Sequence, residues 1–526
     1  LTILILVIVS GLISVLIGPD ANWDLRNYHL YNPYALLNDK VAVDIAPAQR
    51  QSYHNPYLDL PFYALISSLN DYPRAIAFVM GIPYGLSGAV LLWMVNLALG
   101  PLPQAQRLRA EAITERGVAV VLGVTGAATI GVIGRTMNEI QITLFILLAL
   151  ALGLGRLTSG RAAPWGLFAI GLCVGVAGGL KFTYAIHGVA IGTALLGLLV
   201  AARLRVSEFL ASGLGVAIGL GVSAGPWMWQ LYHNFGNPLF PYFNDIFLSP
   251  YAEPLRFSDK RFLPSSMLDA LTYPFKWAFT DGPVAAERPF RDLRFAIVMV
   301  LAAITGMSLI RKWILRKHNA PQAASAPVYD RDAVLFLGTY VSVAFALWLA
   351  LFGIYRYTVP LEFVSGLMIV ILGRRVISKN AYLPALVVLA AIVLGTTSPL
   401  SWGRPAYGDH FIEVDVPNVP DDAMIVLLGG HPMAYVAPYM PTGVTVIGLE
   451  NNFLKSGQDN VFMNRVRVIL EHAGGSLMAV VPRHKIPYSP VLERLGYHVA
   501  VKDCESVESN IGNNLRICPL EKTDNR

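Results

Sequence analysis

The chain has 526 residues, 55% of them hydrophobic and only 14% charged, with a mean hydropathy of +0.52. A soluble globular domain carries about 25% charged residues, so that class is excluded. The net charge of +6 does not indicate a nucleic-acid partner, because the basic residues gather at helix ends, where membrane orientation signals sit.

The first element is the apolar run LTILILVIVSGLISVLIG. Repeated runs of this kind, long enough to cross a hydrocarbon core, give eleven spans. They fall near 1–18, 73–99, 117–134, 140–155, 165–180, 184–202, 208–229, 293–310, 333–354, 359–373 and 382–398. The start on Leu1 rather than Met is expected to reflect a trimmed cytoplasmic segment. A cleaved signal peptide is the competing reading, but no small-x-small cleavage site precedes Pro19. If the first span exits outward, the inside loops 100–116, 156–164, 203–207, 311–332 and 374–381 hold fifteen Arg and Lys residues. The short outside loops hold only Arg135, Lys181 and Arg356. That asymmetry satisfies the positive-inside rule. Residues 19–72, 230–292 and the tail from 403 then lie outside, and 317–330 read as a flexible cytoplasmic linker.

The first outside loop opens with PDANWDLRNYHLYNPYALLN, which sets Asp20, Asp24, Arg26 and His29 among Trp23, Tyr28, Tyr31 and Tyr34. Its spacing predicts a helix that places Asp24, Tyr28 and Tyr31 on one face. The later stretch QSYHNPYLDLPFYALISSL, which includes His54, is expected to lie flat in the interface, where Tyr rings are favoured. At the same level, Arg135, Asn138 and Glu139 occupy a short turn, GRTMNEIQ, between spans three and four. Lys181 follows span five. Arg356, with Glu362 just beyond, lies between spans nine and ten. Charge near apolar depth usually faces a protein interior or a water-filled cavity. The plainer readings are snorkelling anchors for Lys181 and Arg356, a solvated turn acid for Glu139, a helix-dipole charge for Asp24 and an N-cap for Asp20.

In the second outside loop, YHNFGNPLFPYFND combines prolines and aromatics with Asn237 and Asn244. Pro238 and Pro241 read as a rigid turn. The Phe residues interleaved through the charged stretches downstream suggest an interfacial helix. The tail changes character. DAMIVLLGG and GSLMAVVP read as short buried strands, and NRVRVILEHAG as an amphipathic helix ending at Gly474. Residues 403–526 are therefore expected to form a small α/β domain. Its Cys504 and Cys518 can pair in an oxidising compartment. The glycine pair before His431 reads more readily as a turn than as a phosphate cradle.

Taken together, PDANWDLRNYH, GRTMNEIQ, YHNFGNPLFPYFND and YRYTVP resemble the GT-C superfamily of bacterial membrane glycosyltransferases, which use polyprenyl-phosphate-linked sugars. The resemblance in layout covers nearly the whole chain. It implies a polytopic α-helical membrane protein with a GT-C-like transmembrane module, residues 1–402, and a small periplasmic α/β C-terminal domain. It further implies inverting sugar transfer at the periplasmic face of the bacterial inner membrane, from a polyprenyl-phosphate donor to a glycan, lipid or protein acceptor. Carried over by position, Asp24 looks like the catalytic base, with Asp20 competing, and Glu139 like the assisting acid. Lys181 and Arg356 look like donor-phosphate ligands, with Arg135 and Arg26 in reserve. His29, Tyr28, His54 and Asn237 are placed at the acceptor or sugar, and the C-terminal domain serves as acceptor reader or lid. No DxD or HxxH run gives a metal signal, which leaves a divalent cation (Mg or Mn) open. The alternatives are a transporter or flippase of lipid-linked intermediates, which would call for broken mid-membrane helices and internal repeats, and an O-antigen ligase or polymerase-like enzyme.

Overall fold

The computed structural model describes residues 1–160, 164–280, 282–316, 331–472, 476–512 and 514–522. The linker at 317–330 and the helix stop at Gly474 lie outside these residues.

Helices occupy all eleven expected spans: α1 Thr2–Ile17, α2 Pro73–Leu99, α3 Gln106–Val124, α4 Glu139–Ser159, α5 Pro164–Leu180, α6 Ala185–Val200, α7 Val206–Phe235, α8 Arg294–Arg316, α9 Arg331–Leu351, α10 Val359–Val376 and α11 Lys379–Thr396. Among the described residues, seven regions are long and apolar enough to cross a membrane, namely α2, α4, Phe182–Val200, α7, Arg294–Arg311, α9 and α11. α1 and α5 are shorter apolar helices. α10 combines Glu362, Arg374 and Arg375 with an otherwise apolar sequence and is buried from Val359 to Gly373, as a central helix should be. The chain is a multi-pass membrane protein.

The third span differs from expectation. Its helix starts earlier, at Gln106, and stops at Val124; a separate turn of helix, Ala127–Gly131, follows. Buried charges hold this break. Arg294 donates from Nε to Leu122 O (2.8 Å) and from Nη2 to Thr125 O (2.6 Å), satisfying carbonyls at the end of α3. The freed amides of the short helix donate to carboxylates: Ala127 to Asp292 (3.0 Å), Ala128 and Thr129 to Glu362 (3.0 and 2.7 Å). Orphan helix-end groups in an apolar bundle need such partners. Glu362 therefore serves the backbone break and is not part of an outer-face charge ring.

Helices pack through small residues, as expected where lipid tails remove the hydrophobic drive. Gly171 and Gly175 of α5 face the Ser212 and Val216 carbonyls of α7, while Gly215 and Gly219 of α7 face the Phe168 and Leu172 carbonyls of α5. A Cβ at any of these would strike backbone. Asn55 clamps the end of this pair, donating to Gly179 O (3.0 Å) and Ser223 O (2.8 Å).

The C-terminal residues form a sheet with strands β1 Val414–Asp415, β2 Met424–Leu428, β3 Thr445–Leu449, β4 Leu477–Pro482, β5 Tyr497–Val499, β6 Glu505–Ser509 and β7 Leu515–Lys522. The order is β1-β6-β7-β4-β2-β3, with β5 also on β7; β3, β2 and β4 are parallel. The helix Val461–Glu471 lies where amphipathic spacing places it, and Cys504 and Cys518 are joined as a disulfide.

The first outside loop folds between the bundle and this sheet. Ile45 pairs with Ile447 in parallel on the free edge of β3, with Ile45 N–H donating to Val446 O (3.0 Å) and Gly448 N–H to Ile45 O (2.8 Å). Asp44 accepts from Val446 N–H (2.9 Å) and Tyr31 O–H (2.7 Å), and Lys40 donates to Val444 O (3.0 Å). The Gly429–Gly430 pair is a docking turn, as the turn reading expects: Gln49 donates to Gly430 O (3.1 Å).

Two outcomes follow from this packing. Gly175→Val should cost about 1–3 kcal/mol through overpacking, read as a lower thermal midpoint in detergent. Burial pushes the Asp44 carboxyl up to about 6 against hydrogen bonds from Val446 and Tyr31 and the nearby Lys40. Undocked, it would titrate near 3.9. A raised folded pKa favours the docked state at low pH and withdraws that support as pH rises from about 4 through 6. Hydrogen-exchange protection of the Val446 amide should therefore fall over that window, and Asp44→Asn should flatten the dependence.

Candidate active site

Four elements meet at one end of the bundle. Asp24 opens a π-helical turn, Leu25–His29, just beyond α1. Glu139 is the first residue of α4, preceded by Asn138 in the left-handed conformation (φ 66°), which Asn tolerates better than most residues. Lys181 follows α5 directly, and Arg356 sits in the 3₁₀ turn Tyr355–Thr358 between α9 and α10. Such turns are short and tightly constrained, so each long side chain leaves from a fixed base.

Their side chains form one chain of charge. Arg356 Nη1 donates to Asp24 Oδ2 (2.6 Å), and Arg356 Nε lies 3.8 Å from Glu139 Oε1. Lys181 Nζ donates to the same Glu139 oxygen (2.8 Å) and to Met137 O (2.7 Å). Tyr357 covers the cations, its ring centre 5.7 Å from Lys181 Nζ and 5.4 Å from the Arg356 guanidinium carbon. Glu139 is fully buried and Asp24 nearly so, whereas the cations keep partial exposure.

Three polar positions stay open. Glu139 Oε2 and Arg356 Nε are buried without a hydrogen bond, and Asp24 is anchored through one oxygen only. Burial would push the Asp24 carboxyl up, but Arg356, then His29, and finally Lys181 outweigh it and hold it below the usual carboxylate value. Asp24 is thus an ionised acceptor with one oxygen available.

The residues expected on the acceptor side divide. Tyr28 lies against the rings of both His29 (4.1 Å between centres) and His54 (5.1 Å). His29 Nδ1 is 2.7 Å from Asp59 Oδ1, and that oxygen also accepts from Asn138 Nδ2 (2.6 Å). His54 Nε2 meets Tyr242 O–H at 2.8 Å. Burial, followed by Arg50, pushes the His54 imidazole down to about 3, so it is neutral. Asn237 is a turn organiser rather than a ligand: it is fully buried, donates to Tyr242 O (3.0 Å) and accepts from Leu239 N–H (2.8 Å).

Asp20, Arg135 and Arg26 do not join the Asp24 cluster. Asp20 accepts from Arg135 Nη1 (2.9 Å), Thr136 N–H (3.0 Å), Thr136 O–H (2.8 Å) and the Asn22 backbone (3.2 Å), with no accessible surface. Its lone pairs are used, which suits a lock between the start of the first loop and residues 131–136. Arg135 completes that lock on Gly131 O (2.9 Å) and Gly403 O (2.8 Å). Arg26 points to the C-terminal sheet, packing on Gly512 and beside Tyr435.

Asp59, Tyr357 and Tyr242 belong to the site region without having been singled out. Asp59 precedes a helix, Leu60–Leu69, and reads locally as an N-terminal acid. Only its contact with His29 gives it another use.

Among the described residues no group of three or more His, Cys, Asp or Glu side chains is placed to hold a metal ion. Asp24 and Glu139 instead face the Arg356 and Lys181 cations. A cavity of about 400 Å³ beside Asn96, Arg116 and Thr158 lies at the far end of α4, about 30 Å from Glu139 by helical rise.

Fold and site together define a multi-pass membrane protein with a charged centre at one end of its helix bundle and an α/β sheet docked on its first loop. No family model and no curated protein matches the chain. Among solved structures it is similar to ArnT from Cupriavidus metallidurans bound to undecaprenyl phosphate, at 11% identity and TM-score 0.48, covering 98% of this chain and 97% of that one. It is also similar to the apo state of the same protein, at 12% identity and TM-score 0.40 over the same shares.

The two first-loop acids should separate experimentally. Removing one partner of the buried Asp20–Arg135 pair, by Asp20→Ala or Arg135→Ala, should cost about 3–5 kcal/mol of stability. Asp24→Asn, an isosteric change beside an Arg356 that keeps partial exposure, should lower the thermal midpoint less than either. Differential scanning fluorimetry in detergent measures both.

Proposed function

We propose that the protein transfers a sugar from a polyprenyl-phosphate donor to an acceptor hydroxyl at the outer, periplasmic membrane face. The observation that carries this reading is the convergence of Asp24, Arg356, Glu139 and Lys181 on one centre at a bundle end. Positive-inside asymmetry puts that end outside, in a bacterial cell the periplasmic side of the inner membrane.

Lys181 and Arg356 bind the donor phosphate, which reaches them at the level where an isoprenoid chain held between helices ends. Charge-assisted hydrogen bonds of this kind are strong and stabilise a leaving phosphate. Glu139, buried and bonded to Lys181, aims the two cations. Asp24, held by Arg356 through Oδ2, takes the acceptor proton on its other oxygen. The acceptor oxygen attacks the anomeric carbon, the bond from that carbon to the phosphate oxygen breaks, and configuration inverts in a single displacement. Tyr28 and His54 line the acceptor side, with aromatic faces suited to a sugar ring. The sheet domain, docked through residues 40–49, forms the roof over that side and reads the acceptor.

The test is a transfer assay on the purified full chain with a panel of polyprenyl-phosphate sugars. Wild type should transfer one of them. Asp24→Asn should lower kcat at least 100-fold, in the range expected for loss of a general base, and Lys181→Met should lower kcat/KM for the donor at least tenfold. Near-normal turnover in Asp24→Asn would remove the base assignment. No transfer with any donor, together with no protein-bound undecaprenyl phosphate in native mass spectrometry, would remove the reading itself.

A further inference from the structure

The proton that Asp24 receives must leave before the next turnover, and the first loop contains a route for it. A π turn bonds residue i to i+5 and so brings Asp24 and His29 to the same side, where an α-helix would set them apart. His29 is buried, and its Nδ1 is fixed by Asp59 Oδ1 at 2.7 Å. Asp59 is itself oriented by Asn138 Nδ2 at 2.6 Å, and Asn138 immediately precedes Glu139. A carboxylate on Nδ1 selects the tautomer that carries its hydrogen there and leaves Nε2 as an acceptor. His29 Nε2 is buried and makes no hydrogen bond. It lies on the side of the ring away from Asp59.

We propose that His29, oriented by Asp59 and Asn138, is the proton relay of the transfer reaction. This rests on the glycosyl-transfer reading above. The acceptor O–H proton passes to Asp24 as the new C–O bond forms and the sugar–phosphate bond breaks. It then passes from the Asp24 carboxylic acid to His29 Nε2, regenerating the Asp24 carboxylate. The imidazolium so formed lies between Asp24 and Asp59, and loses its proton to water as product leaves. Asp59 and Asn138 are positioning residues.

The titratable and charged groups around His29 are Asp24 and Tyr28 on its own turn, His54 and Asp59 from the following segment, and Arg356 and Lys181 beyond Asp24. Of these, only His29 combines an orienting carboxylate with a free ring nitrogen. A protonated His29 cannot receive, so kcat should fall on the acid side. Direct discharge from Asp24 to water would leave kcat flat down to the carboxylate range.

The experiment is the pH profile of kcat for the full chain with whichever polyprenyl-phosphate sugar supports wild-type transfer. His29→Gln should lower kcat at least tenfold, abolish the acid limb and regain rate with added imidazole. Asp59→Asn, which removes the carboxylate that favours imidazolium, should move the limb to lower pH. A wild-type profile without the limb, or a limb retained in His29→Gln, overturns the relay. Undecaprenyl phosphate binding, measured by native mass spectrometry, should be equal in wild type and His29→Gln. Equal binding with an unchanged pH profile would refute the relay alone, whereas absence of binding and transfer in wild type would refute the parent reading.

Discussion

The structure depends on burying two acids and two cations together. Isolated charges at apolar depth are costly, and a single buried pair returns little beyond its own desolvation. Here Asp24, Arg356, Glu139 and Lys181 are linked in series, so that each inner member meets two opposite charges. Removing one strands its neighbours. The four residues come from the first loop and from the ends of three separate helix connections. Their mutual neutralisation therefore requires those connections to be in place at the same time, and the charged centre is itself part of what fixes the bundle end.

The first loop brings the bundle and sheet into register. It is locked at its start through Asp20 to Arg135 and Thr136, clamped onto α5 and α7 through Asn55, and added to the edge of β3 through Asp44 and Ile45. Covering a strand edge this way removes unpaired backbone groups that would otherwise be open to association. The sheet domain also meets the second outside loop, where Val461 N–H donates to Pro250 O (2.9 Å).

Much of this was legible from composition and charge placement. Hydropathy located the helical segments other than the third, and the scarcity of outer-face cations singled out Lys181 and Arg356, which do meet Glu139 and Asp24. Asp20 and Arg135 carried the same sequence signal yet form a closed pair, because whether a carboxylate's lone pairs are used depends on backbone amides that sequence spacing does not reveal. Asp59 was overlooked for a related reason. Its neighbours are ordinary for a helix start, and its partner His29 is thirty positions away. The third span was misplaced because α3 is charged along its first half, QRLRAEAITERG, while the apolar residues after Val124 belong to a broken segment whose helical ends are satisfied by distant side chains.

That break explains why the site has the geometry it has. A continuous third span would carry the chain straight past the bundle end and present Arg135 to solvent. Arg294 ends α3 early, and Asp292 with Glu362 starts the short helix that follows. The chain then runs through residues 132–138 within reach of Asp20, which fixes Thr136 by both its amide and its hydroxyl. Two residues later Asn138 takes a left-handed backbone and orients Asp59, and the next residue is Glu139 at the start of α4. Each step constrains the following one by a buried hydrogen bond or a fixed dihedral. Glu139, which faces both cations, is thus positioned from three buried charges, Asp292, Arg294 and Glu362.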